Sequence, residues 1–167
     1  MDKTISIYWF AILILVAVAI VYMISAFYGA PYDVREIEAS LISNRAADCI
    51  SQKGELNSFL FGENGELAGF NNDFEERCKI TLEVENIWTE PQYYIYLGVF
   101  RVGDTNRPIY FYETGNLNLI ASCEAQQEKE FENLAKCAEK RFYSIHEGEQ
   151  YLIKILSAVR KTEKNVK

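Results

Sequence analysis

The feature that most constrains this chain is its N-terminal apolar run. Residues 4–32 contain no charged side chain, and residues 5–24 consist mainly of Ile, Leu, Val, Ala, Phe and Met. A helix rises about 1.5 Å per residue, so twenty such residues cover roughly the 30 Å hydrocarbon thickness of a bilayer. We therefore predict that residues 1–30 form a transmembrane anchor that contacts the bilayer through residues 5–27.

Aromatic residues flank the run at both ends, as in membrane helices whose rings lie at the lipid–water interface. Tyr8 and Trp9 lie near one end, and Phe27, Tyr28 and Tyr32 lie near the other. A cleaved signal peptide is the main alternative, but its apolar part typically spans about 7–15 residues before a small-x-small site. Here the run is longer and continues into Phe-Tyr-Gly-Ala-Pro, which favours an uncleaved, single-pass signal anchor.

Charge and cysteine content indicate where the rest of the chain lies. The net charge is −7, and an acidic surface is not attracted to phosphate backbones, so nucleic acid is not an expected partner. All four cysteines follow the anchor without C-x-x-C spacing: Cys49, Cys78, Cys123 and Cys137. An even number of cysteines next to an export signal predicts disulfides in an oxidising compartment. Four free thiols in a cytosolic domain are the alternative.

The charges that flank the anchor barely favour one orientation, because Lys3 and the α-amino group face Arg35 across it. The cysteines decide the expectation. We predict a cell-membrane protein with a cytoplasmic N-terminus, an extracytoplasmic domain over residues 31–161 and a charged tail, residues 162–167, that frays.

A charged amphipathic helix is predicted directly after the anchor. Pro31 discourages helix before it, and Asp33 followed by Glu36 fits a capping box. Lys53 and Gly54 give a stop signal. We expect this helix to be a stalk and the first core element, with a partner-binding helix as the alternative. Its apolar residues form two stripes: Val34, Ile37 and Leu41, then Leu41, Ile42, Ala46, Cys49 and Ile50.

The remaining sequence changes between strand and helix patterns. After a turn-rich loop at 62–73, "CKITLEVE" at 78–85 alternates apolar and polar residues, which predicts a half-buried strand. "YYIYLGVF" at 93–100 and "PIYFY" at 108–112 predict a hairpin, and residues 124–140 predict an amphipathic helix. "RFYSI" and "YLIKILSAV" predict a final hairpin whose last strand is central. The fold class is therefore α+β, with a helix packed on a mainly antiparallel sheet of about five strands.

The predicted second helix restricts the disulfide pairing. The ends of a helix over 124–136 lie roughly 18 Å apart, whereas bridged Cα atoms lie about 4.4–6.8 Å apart. Cys123 and Cys137 are then unable to pair with each other, and each bonds to Cys49 or Cys78 in one of two connectivities. Pairing 49–78 and 123–137 requires this helix to be broken or absent.

The sequence contains no pattern typical of a catalytic or metal site. The only histidine, His146, falls in the predicted turn "IHEGE", where an inert side chain is expected. There is no G-x-S-x-G elbow, no P-loop spacing and no close pair of Cys or His ligands. The acidic pairs Glu75–Glu76 and Glu147–Glu149 are typical of a solvated surface. We therefore expect no catalytic residue, no metal and no cofactor.

Tyrosines crowd the predicted central strands. Alternation places them on both faces of the sheet, so one set packs on helices and the other forms a wet platform suited to protein or glycan contacts. Cross-strand stabilisation of the sheet explains the same residues equally well. The candidate interaction surface comprises Tyr93, Tyr94, Tyr96, Tyr110 and Tyr112.

The anchor, the segment "YDVREIEASLISNRAADCIS" and the closing "RFYSIHEGEQYLIKILSAVRKTEKNV" resemble a group of uncharacterised archaeal single-span membrane proteins. This resemblance implies an anchored extracytoplasmic domain with no assigned activity. The layout is also similar to type IV pilin-like subunits. The chain departs from the pilin pattern, because no basic-Gly leader site precedes the apolar run and no Glu lies just inside it. Processing by a prepilin peptidase is therefore not expected.

Two functions of different classes agree with these patterns. The first is a structural or interaction subunit of an envelope or surface assembly, bound to other envelope proteins or to copies of itself. The second is a membrane-tethered small-ligand-binding domain or a carboxylate-based hydrolase. The first predicts an exposed apolar patch, and the second predicts a concave pocket with convergent polar groups and perturbed carboxylates. We favour the first, a protein that is not an enzyme.

Overall fold

A computed structural model describes the fold of most of the chain, which forms two compact units, Met1–Asp33 and Val34–Val166. The described residues are 2–29, 32–62, 73–82, 91–128, 133–162 and 165–166.

The first unit is a single long helix, α1 (Asp2–Tyr28). Between Ile7 and Tyr28 this helix is strongly apolar, and its side chains are exposed rather than packed against protein. A helix that is apolar around its whole circumference requires a non-aqueous environment. The predicted N-terminal apolar helix is thus confirmed, and its length and composition fit a membrane anchor or a signal sequence.

The second unit is a helix packed on a mostly antiparallel sheet, which confirms the predicted α+β class. Over the described residues, six strands run in the order β1-β2-β5-β6-β3-β4, and of their pairings only β2–β5 is parallel. The strands are β1 (Ser51–Gln52), β2 (Glu55–Leu56), β3 (Tyr93–Arg101), β4 (Tyr110–Gly115), β5 (Lys136–His146) and β6 (Glu149–Val159). The helices are α2 (Arg35–Ile50), α3 (Phe74–Cys78) and α4 (Asn118–Glu128), with a 3-10 turn at Ser58–Leu60.

The last strand is central, as predicted. β6 pairs along its length with β5 on one side and with β3 on the other. Ile153 and Ile155 on this strand are completely buried. The β5–β6 hairpin turns through Glu147 and Gly148, whose φ angles of 50° and 84° suit the two-residue turn that matches strand twist. The predicted hairpins between β3 and β4 and between β5 and β6 are both confirmed.

Helix α2 packs on the sheet through small residues and through most of the second predicted stripe, in which Ala46 and Ile50 are fully buried and Ile42 and Cys49 pack against the core. Ile37 and Leu41 are 68% and 65% exposed, so the first predicted stripe faces away from the core. The buried stripe contains Ala39, Ser43 and Ala46, whose short side chains allow close approach of helix and sheet. The Ser43 hydroxyl lies 2.7 Å from that of Ser157 on β6, which satisfies two buried polar groups.

The ends of α2 also differ from prediction. Val34, and not Asp33 as predicted, is the N-cap residue, and it makes no side-chain cap. The helix ends at Ile50, because Ser51 already has extended backbone angles. Lys53 and Gly54 do not stop the helix but form the turn between β1 and β2, with φ of 55° and 86°.

The strand predicted at 78–85 is wrong over its described residues. Phe74–Cys78 is a short helix, and Lys79 ends it in a left-handed conformation with φ of 52°. Residues 80–82 are unpaired, yet Ile80 and Leu82 are buried as the alternation requires. Alternation of apolar and polar residues indicates which side chains are buried, but it does not show that the segment pairs with a neighbouring strand. Residues 83–85, like positions 63–72 of the predicted loop, lie outside the described residues.

The helix predicted at 124–140 is wrong in its second half. α4 ends its described part at Glu128, residues 129–132 lie outside the described part of the chain, and residues 136–140 belong to β5. Glu, Gln, Lys and Ala favour a helix, but pairing with β6 overrides this propensity. The disulfides are accordingly Cys49–Cys78 and Cys123–Cys137, with Cα atoms 5.4 and 5.7 Å apart. The expected crossed pairing is therefore wrong.

The C-terminal tail does not fray over its described residues. Asn165 is buried, and its side-chain oxygen accepts a hydrogen bond from the Thr162 backbone N–H at 2.8 Å. Its backbone oxygen accepts a hydrogen bond from the Val34 N–H at 3.0 Å. The first hydrogen bond holds the tail together, and the second connects it to the start of α2.

Candidate functional site

Among the described residues, α4 covers one end of the sheet face that lies away from α2. There the register aligns Cys137, Ala158 and Tyr94 across three neighbouring strands. They pack with Leu119 and Cys123 of α4 in a small second core, which the Cys123–Cys137 disulfide fastens covalently. One end of this face is therefore ordinary protein interior.

Farther along the same face, apolar side chains are exposed. Register places Tyr143 beside Leu152, and Leu152 beside Phe100. Leu152 and Phe100 are almost fully buried and form the base of the region. We call the exposed group around them the apolar patch: Val102, Ile109, Phe111, Tyr143 and Ile145, each between 44% and 59% exposed.

The base of the patch is shaped by Gly98. A Cβ atom at this position would lie 2.7 Å from a Phe100 ring carbon and 2.7 Å from the Tyr96 hydroxyl. Both aromatic side chains therefore lie over the glycine. The Lys154 ammonium lies 4.5 Å from the Phe100 ring centroid, a cation–π distance. Glycine thus flattens this face, and the Lys154 cation lies against the Phe100 ring at the edge of the patch.

Charged residues mark the limit between the patch and the covered end. Arg141 is next to Lys154 in the register and forms an exposed ion pair with Glu139. Among the described residues no carboxylate pairs with Lys154. The arrangement of an apolar centre with a polar rim is the one that protein interfaces have.

The five tyrosines predicted as an interaction surface do not share one exposed face. Tyr94 is 1% exposed and lies beneath α4. Tyr93, Tyr110 and Tyr112 are partly buried against the core on the α2 side, and Tyr96 packs against the second core. None of the five predicted tyrosines is among the exposed residues of the patch, to which β5 contributes Tyr143 and Ile145. In the predicted strand "RFYSI", both faces carry apolar residues. This pattern could have indicated an apolar surface on β5, but the prediction did not use it.

Tyr94 is the tyrosine with the most perturbed acidity. Burial raises the pKa of its phenol well above the usual value, and the charge and hydrogen bond of Glu113 raise it further. The hydroxyl donates to Glu113 Oε2 at 3.2 Å. The neutral phenol is thus the form that the fold requires.

We expect the domain to lose stability above about pH 10, where the unfolded chain releases tyrosine protons that the folded chain retains. Below that pH both states keep the proton, so Tyr94 gives no pH dependence there. The Tyr94→Phe variant should show a shallower decline in unfolding free energy between about pH 9 and 11. Urea titrations across this range measure the decline. A slope equal to that of the wild type would contradict the assignment.

The residues considered for chemistry do not converge. His146 is the last residue of β5, not a turn residue as predicted, and its ring stacks on Phe61 with centroids 3.4 Å apart. Glu75 accepts a hydrogen bond from Thr114 at 2.9 Å, and Glu149 accepts one from Tyr151 at 2.9 Å. Within the described ranges, no group of three His, Cys, Asp or Glu residues is placed to hold a metal ion.

Comparison with known proteins gives no family for this architecture. No family model matches the chain, and neither a curated protein nor a solved structure shows significant similarity to it. The chain is therefore characterised by its own architecture, an N-terminal apolar helix followed by a disulfide-bonded α+β domain.

Proposed function

We propose that this chain is a membrane-anchored extracytoplasmic interaction protein, a subunit of an envelope or surface assembly. Its apolar patch packs against an apolar segment of another envelope protein, and a carboxylate of that segment pairs with Lys154. The observation that carries the proposal is the exposure of five clustered apolar side chains on a sheet face whose other end is covered by α4.

The location rests on two features that act together. A helix as apolar as Ile7–Tyr28 inserts into a bilayer, and its length exceeds that of a typical signal-peptide core. Two disulfides join all four cysteines, and such bonds persist in oxidising compartments. The α+β domain is accordingly extracytoplasmic and the N-terminus cytoplasmic.

The chemistry of the patch selects the kind of partner. Large exposed apolar patches are uncommon on monomeric soluble domains and mark interaction sites. A symmetric dimer through the same patch would bring the two Lys154 side chains towards each other, because such an interface is self-complementary. Two copies would also each carry a net charge of −7. A different protein with an apolar segment and a carboxylate fits better.

Site-specific photo-crosslinking in native membranes tests this proposal. The full chain carries p-benzoylphenylalanine in place of Phe111 or Tyr143, and a control carries it in place of Ile37, which is exposed on α2. We expect both patch positions to crosslink to one segment that contains apolar residues and Asp or Glu, while Ile37 does not. Mass spectrometry of the crosslinked peptides identifies that segment.

Charge reversal makes the test specific. Lys154→Glu should reduce the crosslinked product at least tenfold, whereas Lys53→Glu, an equal charge change in the exposed β1–β2 turn, should leave it within twofold. Melting curves confirm that both variants are folded. Crosslinks of the patch to a second copy of the chain, or equal crosslinking from Ile37, would overturn the proposal.

A further inference from the structure

A second site lies on the α2 side of the domain. A groove of about 610 Å³ opens between α2, the 3-10 turn and α3. The Cys49–Cys78 disulfide joins α2 to α3 within it. Its volume is within the range of small-ligand sites, about 300–1,000 Å³. The groove does not include the apolar patch, so its role is separate from the function proposed above.

Three cationic side chains line this groove together with one carboxylate: Arg45, Arg77, Lys79 and Asp48. Three positive charges and one negative charge leave a net charge of two positive units, in a chain whose total is −7. Like charges repel, so this clustering of cations in an acidic protein favours an anionic occupant.

Neighbouring backbone and aromatic groups hold the two arginines. The Arg45 Nε–H donates to the carbonyl oxygen of Cys78 at 3.3 Å, which engages one of its five N–H donors. The Arg77 guanidinium lies 5.8 Å from the Phe59 ring centroid. The Asp73 carboxylate is 4.0 Å from the Arg77 guanidinium, and both side chains are more than half exposed, so this ion pair is weak.

Lys79 occupies a conformation that its residue type disfavours. Its φ of 52° is left-handed, a region that costs a side chain with a Cβ roughly 1 kcal/mol and that Gly or Asn adopts more readily. No described residue pairs with its ammonium group. The left-handed conformation ends α3, and Lys79 adds a third cation to the lining of the groove.

We infer that this groove binds a phosphate group, carried by a lipid headgroup or by a small soluble phosphate ester. The planar donor fork of arginine matches phosphate oxygens in pairs, and two arginines with a lysine supply donors to several oxygens at once. The net charge of two matches a phosphate monoester dianion better than a single carboxylate. The side-chain amide of Asn57, which donates to the Cys49 carbonyl at 3.3 Å, closes the groove at the end of α2.

Calorimetry on the full chain in an uncharged, phosphate-free detergent tests this inference. The probes are glycerol 3-phosphate, a short-chain phosphatidic acid, which also carries a phosphate monoester, and, as the carboxylate control, glycerate. We expect both phosphates to bind at least tenfold more tightly than glycerate. Tighter binding of the short-chain lipid identifies a lipid headgroup as the source of the phosphate, and tighter binding of glycerol 3-phosphate identifies a soluble ester.

Matched variants separate local recognition from general charge attraction. Arg77→Gln combined with Lys79→Gln should weaken binding at least tenfold, whereas Arg101→Gln combined with Arg107→Gln, an equal loss of charge near the β3–β4 turn, should change it less than twofold. Lys79→Gly should weaken binding while raising the melting temperature, because it removes the ammonium and relieves the strained φ. Equal weakening by both double variants, or no binding of either phosphate to the wild type, would overturn the inference.

Discussion

The domain without its Cys49–Cys78 disulfide should melt on the order of 10 °C lower than the wild type. The bridge closes a loop of 29 residues, for which the chain-entropy relation gives about 3.6 kcal/mol of stability. In a domain of this size each kcal/mol corresponds to a few degrees of melting temperature. Cys49→Ala with Cys78→Ala is the appropriate variant, since Cys78 is buried and serine would introduce an unpaired hydroxyl.

The second disulfide supplies the matched control. Cys123 and Cys137 close a loop of 14 residues, for which the same relation gives about 3.0 kcal/mol. The two pairs of alanines should therefore destabilise by similar amounts but in different places. Hydrogen exchange should rise in α3 and at Ile80 when the first bridge is removed, and in α4 when the second is removed. A non-reducing peptide map that shows crossed pairs would contradict this assignment.

Gly115→Ala should lower the free energy of unfolding by about 2–4 kcal/mol, more than the other glycine-to-alanine substitution, Gly103→Ala. Gly115 has φ of 94°, and a Cβ atom there would lie well inside contact distance of the Tyr93 carbonyl oxygen. That oxygen accepts the Asn116 backbone N–H at 2.9 Å, so movement to relieve the clash breaks this hydrogen bond. The Asn116 side chain also accepts the Asn118 N–H at the start of α4.

Gly103→Ala isolates the contribution of the clash. Gly103 has a similar φ of 102°, but a Cβ atom there meets nothing within 4 Å. The Gly103→Ala variant should lose about 1 kcal/mol of unfolding free energy, which is the conformational cost alone. Urea unfolding of both variants measures the difference. Equal losses for the two alanines would show that the close approach to Tyr93 has no effect.

Long apolar segments were predictable from the sequence because their periodicity and their environment agree. The strands at 93–100 and 151–159 are dense in β-branched and aromatic residues, and β6 is buried on both faces, as its nearly continuous apolar run indicates. The N-terminal helix follows equally directly from the absence of charge. In these segments the local preference and the tertiary contacts favour the same structure.

The failures occurred where local preference and packing differ. Residues 136–140 are rich in helix formers but pair with β6. In α2, the small residues Ala39 and Ser43 are buried, whereas the larger apolar residues Ile37 and Leu41 are exposed. Hydrophobic periodicity does not identify a close helix–sheet contact built on small side chains. The helix error then carried over to the disulfides, since the excluded pair Cys123–Cys137 is the one that forms.

Neither candidate site could be assembled from sequence alone. The patch joins β3, β4 and β5, so its membership depends on strand order and register, which one chain does not reveal. The groove joins Arg45 to Arg77 and Lys79, which the short helix α3 and its disulfide bring together. Ile109 and Phe111 lie within the predicted strand "PIYFY", and Tyr143 and Ile145 lie within "RFYSI", but the sequence does not show that these strands share a face.

The proposed function requires an extracytoplasmic domain that follows an uncleaved anchor. Acid quenching of intact cells, followed by maleimide-polyethylene glycol labelling of carbonate-washed membranes before and after reduction, tests it directly. We predict a full-length, membrane-retained chain that gains no adduct before reduction and four adducts after it, one for each cysteine. Four adducts before reduction would place the domain in a reducing compartment, and a shortened chain released from the membrane would show that the helix is a cleaved signal; either result would contradict the account.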